Sequence, residues 1–308
     1  MFMRDVHGVL FLDKVSGISS ASVLRQVKIL FQAKKVGHAG TLDPLATGML
    51  PICFGEATKF SRYFLAADKS YKVVAKFGER TDTYDSYGRS ICIRPVKLNK
   101  ESLYQTLSFF IGKSYQVPPM FSALKYCGRP LYQYARHGIN IARGSRLINI
   151  YNINLLQWDD MYIELEVFCS KGTYIRSFVD DLGEYLGCGA HIVSLRRSSL
   201  GHFTSDFMIH VTVLKTYVDN DMSSSDFEKL DSLLYPVDVM VKHFPEVNVS
   251  VGVYRLLRCG QKIEISGFGI NVTGIKLVRM TVGVNRKFFG MGNIVDNKYL
   301  LVDRLSIF

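Results

Sequence analysis

Apolar residues along the chain fall into two rhythms, a period of two that marks strands and a period near 3.6 that marks helices. Val9 to Leu12 is a four-residue apolar run stopped by Asp13 and Lys14, and reads as a short strand. Ser16 to Ser20 then forms a turn whose serines can cap a helix carrying Val23, Leu24, Val27, Leu30 and Phe31 on one face. Tyr71 to Phe77 alternates Tyr71, Val73, Ala75 and Phe77 with Lys72, Val74 and Lys76, the pattern of a half-buried strand. Asn99 caps a predicted helix over Lys100 to Ile111 with Leu103, Leu107 and Phe110 inward, and Val117-Pro118-Pro119 breaks the pattern. Tyr162 to Ser170 is a second strong strand with Ile163, Leu165, Val167 and Cys169 on its buried face. After the turn Ser170 to Thr173, a helix from about Tyr174 to Leu186 places Ile175, Phe178, Val179, Leu182 and Leu186 on its apolar side, with Arg176 off that stripe.

The later chain changes character twice. Thr216 to Ser232 is polar and reads as a loop or mobile connector. Beyond Phe244-Pro245, short runs of Val, Ile and Phe punctuated by glycines predict a small all-β unit. A chain of 308 residues exceeds one typical domain, so the expected division is a large domain over 1–245 and a small one over 246–308.

The net charge of +11 points to a polyanionic partner, and nucleic acid fits better than membrane because no lipidation motif or basic amphipathic helix is present. The charge is uneven. No acidic residue lies between Glu101 and Asp159, while Lys113, Lys125, Arg129, Arg136, Arg143 and Arg146 fall inside that gap. The six cysteines are scattered without a C-x-x-C pair and read as reduced, buried thiols, not zinc ligands or a disulfide frame. No signal peptide or bilayer-length apolar run is apparent, so the expected location is the cytoplasm.

The most concentrated chemistry lies in Gly37-His38-Ala39-Gly40-Thr41-Leu42-Asp43-Pro44-Leu45-Ala46-Thr47-Gly48. Three glycines and Pro44 exclude a plain helix or central strand here, so the Asp43 carboxylate sits on a shaped corner. An Asp before Pro is also a common turn starter, and spacing alone leaves Asp43 structural or chemical. Arg176 at a helix start needs a carboxylate, and a surface pair with Asp180 one turn on is the local alternative. No P-loop or G-x-G-x-x-G seats a nucleotide, and the seven histidines lack ligand spacing, so neither cofactor nor metal is expected.

Taken together, the Gly37–Leu50 segment, Lys69-Ser70-Tyr71-Lys72-Val73 with Arg80-Thr81-Asp82-Thr83, Val117–Lys125, and Cys169-Ser170-Lys171-Gly172-Thr173-Tyr174-Ile175-Arg176 closely resemble the bacterial TruB-type tRNA pseudouridine synthases. The resemblance runs in order from Gly8 to Arg197 and fades between about Asp206 and Pro245. It implies an α+β fold: a pseudouridine-synthase domain whose mixed, mainly antiparallel sheet is flanked by helices, and a small C-terminal PUA-like β-barrel domain. It implies isomerisation of uridine 55 in the tRNA T loop, without cofactor; nothing in the sequence demands a dimer, so a monomer is the expectation. Asp43 matches the catalytic aspartate, Arg176 the arginine paired with it, and Tyr71 the tyrosine that stacks on the flipped uracil. Tyr174 and Leu195 match base-pocket positions, and His38 the histidine that fills the vacancy left by the flipped base. Residues 119–147 match an RNA-binding thumb in which Lys125, Arg129, Arg136 and Arg143 contact phosphates while Tyr126, Tyr132 and Tyr134 pack or stack. Lys14 matches an architectural element. The alternative function is a tRNA-folding helper whose catalysis is incidental or absent.

Overall fold

The computed structural model describes residues 3–217, 224–265, 268 and 274–306. Nine strands form one mixed sheet. Its order is Ile209–His210, Gly8–Lys14, Thr47–Phe54, Ala190–Leu200, Lys69–Phe77, Tyr162–Cys169, Arg146–Trp158 and Gly112–Gln116, with Val36–His38 also paired to Thr47–Phe54. Neighbours are antiparallel except at two places, Gly8–Lys14 beside Ile209–His210 and Thr47–Phe54 beside Ala190–Leu200.

The Gly8–Lys14 strand explains why its apolar run is unbroken. Leu10 and Leu12 face one core with Val23, Val27 and Phe54, whereas Val9 and Phe11 face a second with Phe64, Phe203 and Met240. A strand covered on both faces has no polar side to alternate with. The Tyr71–Phe77 and Ile163–Cys169 alternations appear as read, each burying its odd-numbered residues. Ser19 caps the helix Ser20–Leu30 by accepting from Ser22 N at 3.1 Å, and Asn99 caps Lys100–Phe109 by accepting from Ser102 N at 2.8 Å.

The parallel contact in mid-sheet is two residues long, Thr47 against Arg196 and Gly48 against Arg197. A Cβ on Gly48 would stand 2.3 Å from the Arg197 carbonyl oxygen, and its φ of +94° is one that side chains rarely adopt. Glycine is therefore the residue that lets these strands touch.

Three expectations need correction. The polar segment 216–232 includes a helix, Ser224–Ser232, which buries Leu230 in the main core; its most polar stretch, 218–223, lies outside the described residues. The C-terminal unit is not all-β. Its five-stranded sheet, in the order Glu246–Val249, Leu277–Val282, Lys287–Val295, Tyr299–Leu305, Ile263–Glu264, carries a helix, Val251–Arg258, capped by Ser250. Among the cysteines, Cys53, Cys169 and Cys188 are buried as expected, but Cys127 and Cys259 are exposed and Cys92 is half-buried.

Candidate active site

The Asp43 loop is pinned through its backbone by Ser20, Lys14 and Arg197. Ser20 Oγ donates to Leu42 O and accepts from Leu42 N, both at 2.9 Å. Lys14, 1% exposed, donates to the carbonyls of Val15, Pro44 and Ala46. Burial brings the Lys14 ammonium down to about 8 while nearby Asp43 opposes the shift. Arg197, also 1% exposed, spans the loop's two flanks: Nε donates to Met49 O at 2.7 Å and Nη2 to Gly40 O at 2.9 Å.

Arg176 is buried, contrary to its expected place off the apolar stripe of the helix Ile175–Tyr185. Its guanidinium turns away from that helix and grips Asp43, with Nη2 donating to Oδ1 at 2.9 Å and Nε 2.8 Å from Oδ2. Nη2 also donates to Phe121 O, Nη1 donates to Thr83 O, and the Asp85 carboxylate lies 3.9 Å from Nη1. The local alternative fails because Asp180 is occupied by Arg80, through two bonds of 2.6 and 2.7 Å. Burial raises the Asp43 carboxyl above the usual carboxylate range and Asp85 adds to the rise; the Arg176 guanidinium and Lys14 pull it down. The Asp43 side chain is still 33% exposed, and both its oxygens face the Arg176 guanidinium. That geometry serves the ionised carboxylate.

Asp43 and Arg176 share a cavity of about 550 Å³ with Tyr71, Tyr174, Leu195 and Arg197. Burial pushes the Tyr71 hydroxyl up, and the adjacent Arg197 guanidinium pulls the other way. Tyr174 is likewise raised by burial. Five of the residues singled out from the sequence thus meet in one cavity.

His38 does not line that cavity. It sits on the short strand Val36–His38, half-buried, with Nδ1 lacking a hydrogen-bond partner, and burial together with Arg197 lowers its pKa. Of the basic residues in the 119–147 segment, Lys125, Arg129 and Arg136 are exposed and Arg136 stacks over Tyr132 at 5.3 Å. Arg143 is instead tied to its own loop, donating to Pro118 O, Asn140 Oδ1 and Ile141 O. Ser122 to Leu124 of the same segment do reach the cavity wall.

Arg197, Lys69 and Asp85 were not picked out in advance. The signal for Arg197 was its register with Leu195 in the strand Ala190–Leu200, which puts a charge on a buried face, but Ser194, Arg196, Ser198 and Ser199 around it mask that signal. Among the described residues, no cluster of three His, Cys, Asp or Glu side chains is arranged to hold a metal, and no helix is long and apolar enough to cross a membrane.

A carboxylate held by a buried arginine in a cavity beside a tyrosine, on a mixed sheet, marks an enzyme site and not a passive binding face. The fold is shared with a chain in the crystal structure of a Cbf5-Nop10-Gar1 complex, at a TM-score of 0.73 and 24% identity, covering 97% of this chain and 84% of that one. The family follows from the sequence. The model for the TruB family pseudouridylate synthase N-terminal domain matches residues 28–175, and that for the tRNA pseudouridylate synthase B C-terminal domain matches 176–242. Proteins named tRNA pseudouridine synthase B from Sodalis glossinidius and Vibrio cholerae are 48% and 47% identical, over 98% and 99% of this chain and 96% and 97% of theirs. The chain belongs to the TruB family of pseudouridylate synthases.

Proposed function

We infer that the protein converts uridine 55 in the T loop of tRNA to pseudouridine. The observation that carries this reading is the Asp43 carboxylate, held by Arg176 at 2.8–2.9 Å in a cavity that also presents Tyr71, Tyr174 and Leu195. Its volume falls in the range of about 300–1,000 Å³ usual for small-ligand clefts, enough for one everted nucleoside. The relatives' name supplies tRNA as the substrate class.

In the reaction the N1–C1′ bond breaks, a C5–C1′ bond forms, and the proton leaving C5 is balanced by one gained at N1. Asp43 acts on the sugar, as nucleophile at C1′ or as the anion beside a glycal. Arg176 keeps it charged in a space from which the substrate drives water. The Tyr71 ring stacks on the uracil and its hydroxyl serves proton transfer from the sugar, while Tyr174 and the Leu195 side chain complete the slot for the base. His38, neutral because its pKa is lowered by burial, fills the gap in the loop with a flat ring. Lys125, Arg129 and Arg136, exposed on the thumb, meet phosphates; Arg143 shapes the thumb that presents them. The C-terminal sheet is a PUA-type RNA-binding unit, the protein acts as a monomer, and its setting is the cytoplasm.

Incubating the purified chain with a bare T-arm stem-loop and mapping pseudouridine tests this directly. The reading predicts modification at the T-loop uridine by this chain alone. A need for guide RNA or partner proteins, or modification elsewhere, contradicts it.

A further inference from the structure

The Asp43 cavity is lined by four cations, Lys69, Arg146, Arg176 and Arg197. Three of them are engaged by the protein itself. Arg176 holds Asp43 and donates to the carbonyls of Phe121 and Thr83. Arg197 donates to Met49 O and Gly40 O, and Lys69 to Leu65 O and Ala67 O. Arg146 is different: its side chain forms no ion pair and no hydrogen bond among the described residues, and it is exposed.

An exposed arginine is ordinarily a solvated surface charge, and here its place in the sheet argues otherwise. Of the cations in the acid-free stretch between Glu101 and Asp159, Arg146 alone lines the cavity. Lys125 and Arg129 ride on a separate hairpin, and Arg136 ends the short helix Leu131–Arg136. Arg146 instead opens the long strand Arg146–Trp158 of the main sheet, in register with Gln116. Residues directly opposite in an antiparallel pair put their side chains on the same face. The buried Gln116 amide clasps the Tyr174 backbone, accepting from Tyr174 N at 2.8 Å and donating to Tyr174 O at 3.1 Å. Arg146 therefore stands beside the residue that closes the base slot. Burial raises the Tyr174 hydroxyl pKa, and the Arg146 charge opposes that rise.

The uracil is neutral, so the charge that an everted uridine brings to this cavity is the phosphodiester on either side of its sugar. The Asp43 anion repels that group, and the three engaged cations have carbonyls or Asp43 as partners already. A free guanidinium at the mouth, whose planar fork matches two phosphate oxygens, supplies what is missing.

We propose that Arg146 binds a phosphodiester flanking the everted uridine and so holds the extruded nucleotide in the cavity, a task separate from the diffuse attraction of the thumb cations. The proposal rests on the functional reading above, and its test reads binding so that the two fail separately. T-arm stem-loops with a neutral methylphosphonate immediately 5′ or 3′ of the target uridine are compared with the intact RNA, on the wild-type protein, Arg146→Gln and Arg136→Gln. One of the two methylphosphonates should weaken binding to the wild type about tenfold, Arg146→Gln should weaken intact RNA by a like factor, and the two changes together should cost no more than either alone. Arg136→Gln should add its own loss to that of the same methylphosphonate. Additive losses with Arg146→Gln, no loss at either linkage, or equal coupling to Arg136→Gln overturn the proposal. Should Arg146→Gln prove unfolded by circular dichroism, Arg146→Met, also long and uncharged, takes its place and is read in the same way. Failure of the wild type to make pseudouridine overturns only the functional reading.

Discussion

At the scale of single residues, the site is a balance between desolvation and opposite charge at Asp43. Burial raises its pKa and Arg176 opposes the rise, so the ionised form needed for chemistry is reached above the ordinary carboxylate value of about 4. The acid limb of kcat/KM therefore lies higher than for a free aspartate. Removing the opposing cation in Arg176→Gln makes the anion harder to form, and the residual activity should show that limb moved to higher pH by about one unit or more. A limb that stays put would detach Arg176 from the ionisation of Asp43. Asp43 was legible because Gly37, Gly40 and Pro44 mark a shaped loop around it. Its partner was not legible from spacing, which offers Asp180 one turn away; the true pairing crosses 133 residues. Only the family resemblance pointed to it. Arg197 escaped notice because a charge in a strand reads as solvent-facing unless both sides are known to be covered.

At the scale of elements, alternation and caps were the reliable signals. Ser19 and Asn99 end their helices through the bonds their side chains invite, and the Tyr71–Phe77 strand delivers Tyr71 to the cavity on the same face as Val73 and Ala75. The Ser224–Ser232 and Val251–Arg258 helices were hidden. The first is short and polar except for the few residues it docks, and the second begins Val-Gly-Val-Tyr, which suits a strand until Ser250 is recognised as a cap. The element on which the site depends most is the two-residue parallel contact at Gly48. Gly48→Ala forces a Cβ to 2.3 Å from a backbone oxygen at positive φ, and should lower the unfolding free energy by about 2 kcal/mol or more in urea titration. A midpoint equal to wild type would mean that the strands can separate there freely.

At the scale of the whole molecule, charge and sheet geometry are arranged toward one partner. The sheet brings Asp43, Tyr71, Arg176 and Leu195 from four separate stretches to one cavity, and the acid-free segment stands at its rim with Lys125, Arg129 and Arg136 open to solvent. Phosphate contacts release counterions on binding, so the affinity for T-arm RNA should fall linearly in log–log form with salt. Changing Lys125, Arg129 or Arg136 to Gln should reduce that slope by up to about one each, while Arg143→Gln, whose guanidinium is bound to its own loop, should leave it near wild type. Equal slopes for all four variants would place the RNA elsewhere.

The account rests on Asp43 acting on the sugar and not holding the RNA. Asp43→Asn keeps the side chain's size and removes its charge, so the measurement that matters is pseudouridine formation by this variant alongside its affinity for T-arm RNA. The account predicts no detectable pseudouridine with affinity within tenfold of wild type, about 1.4 kcal/mol. Turnover near the wild-type rate would contradict it.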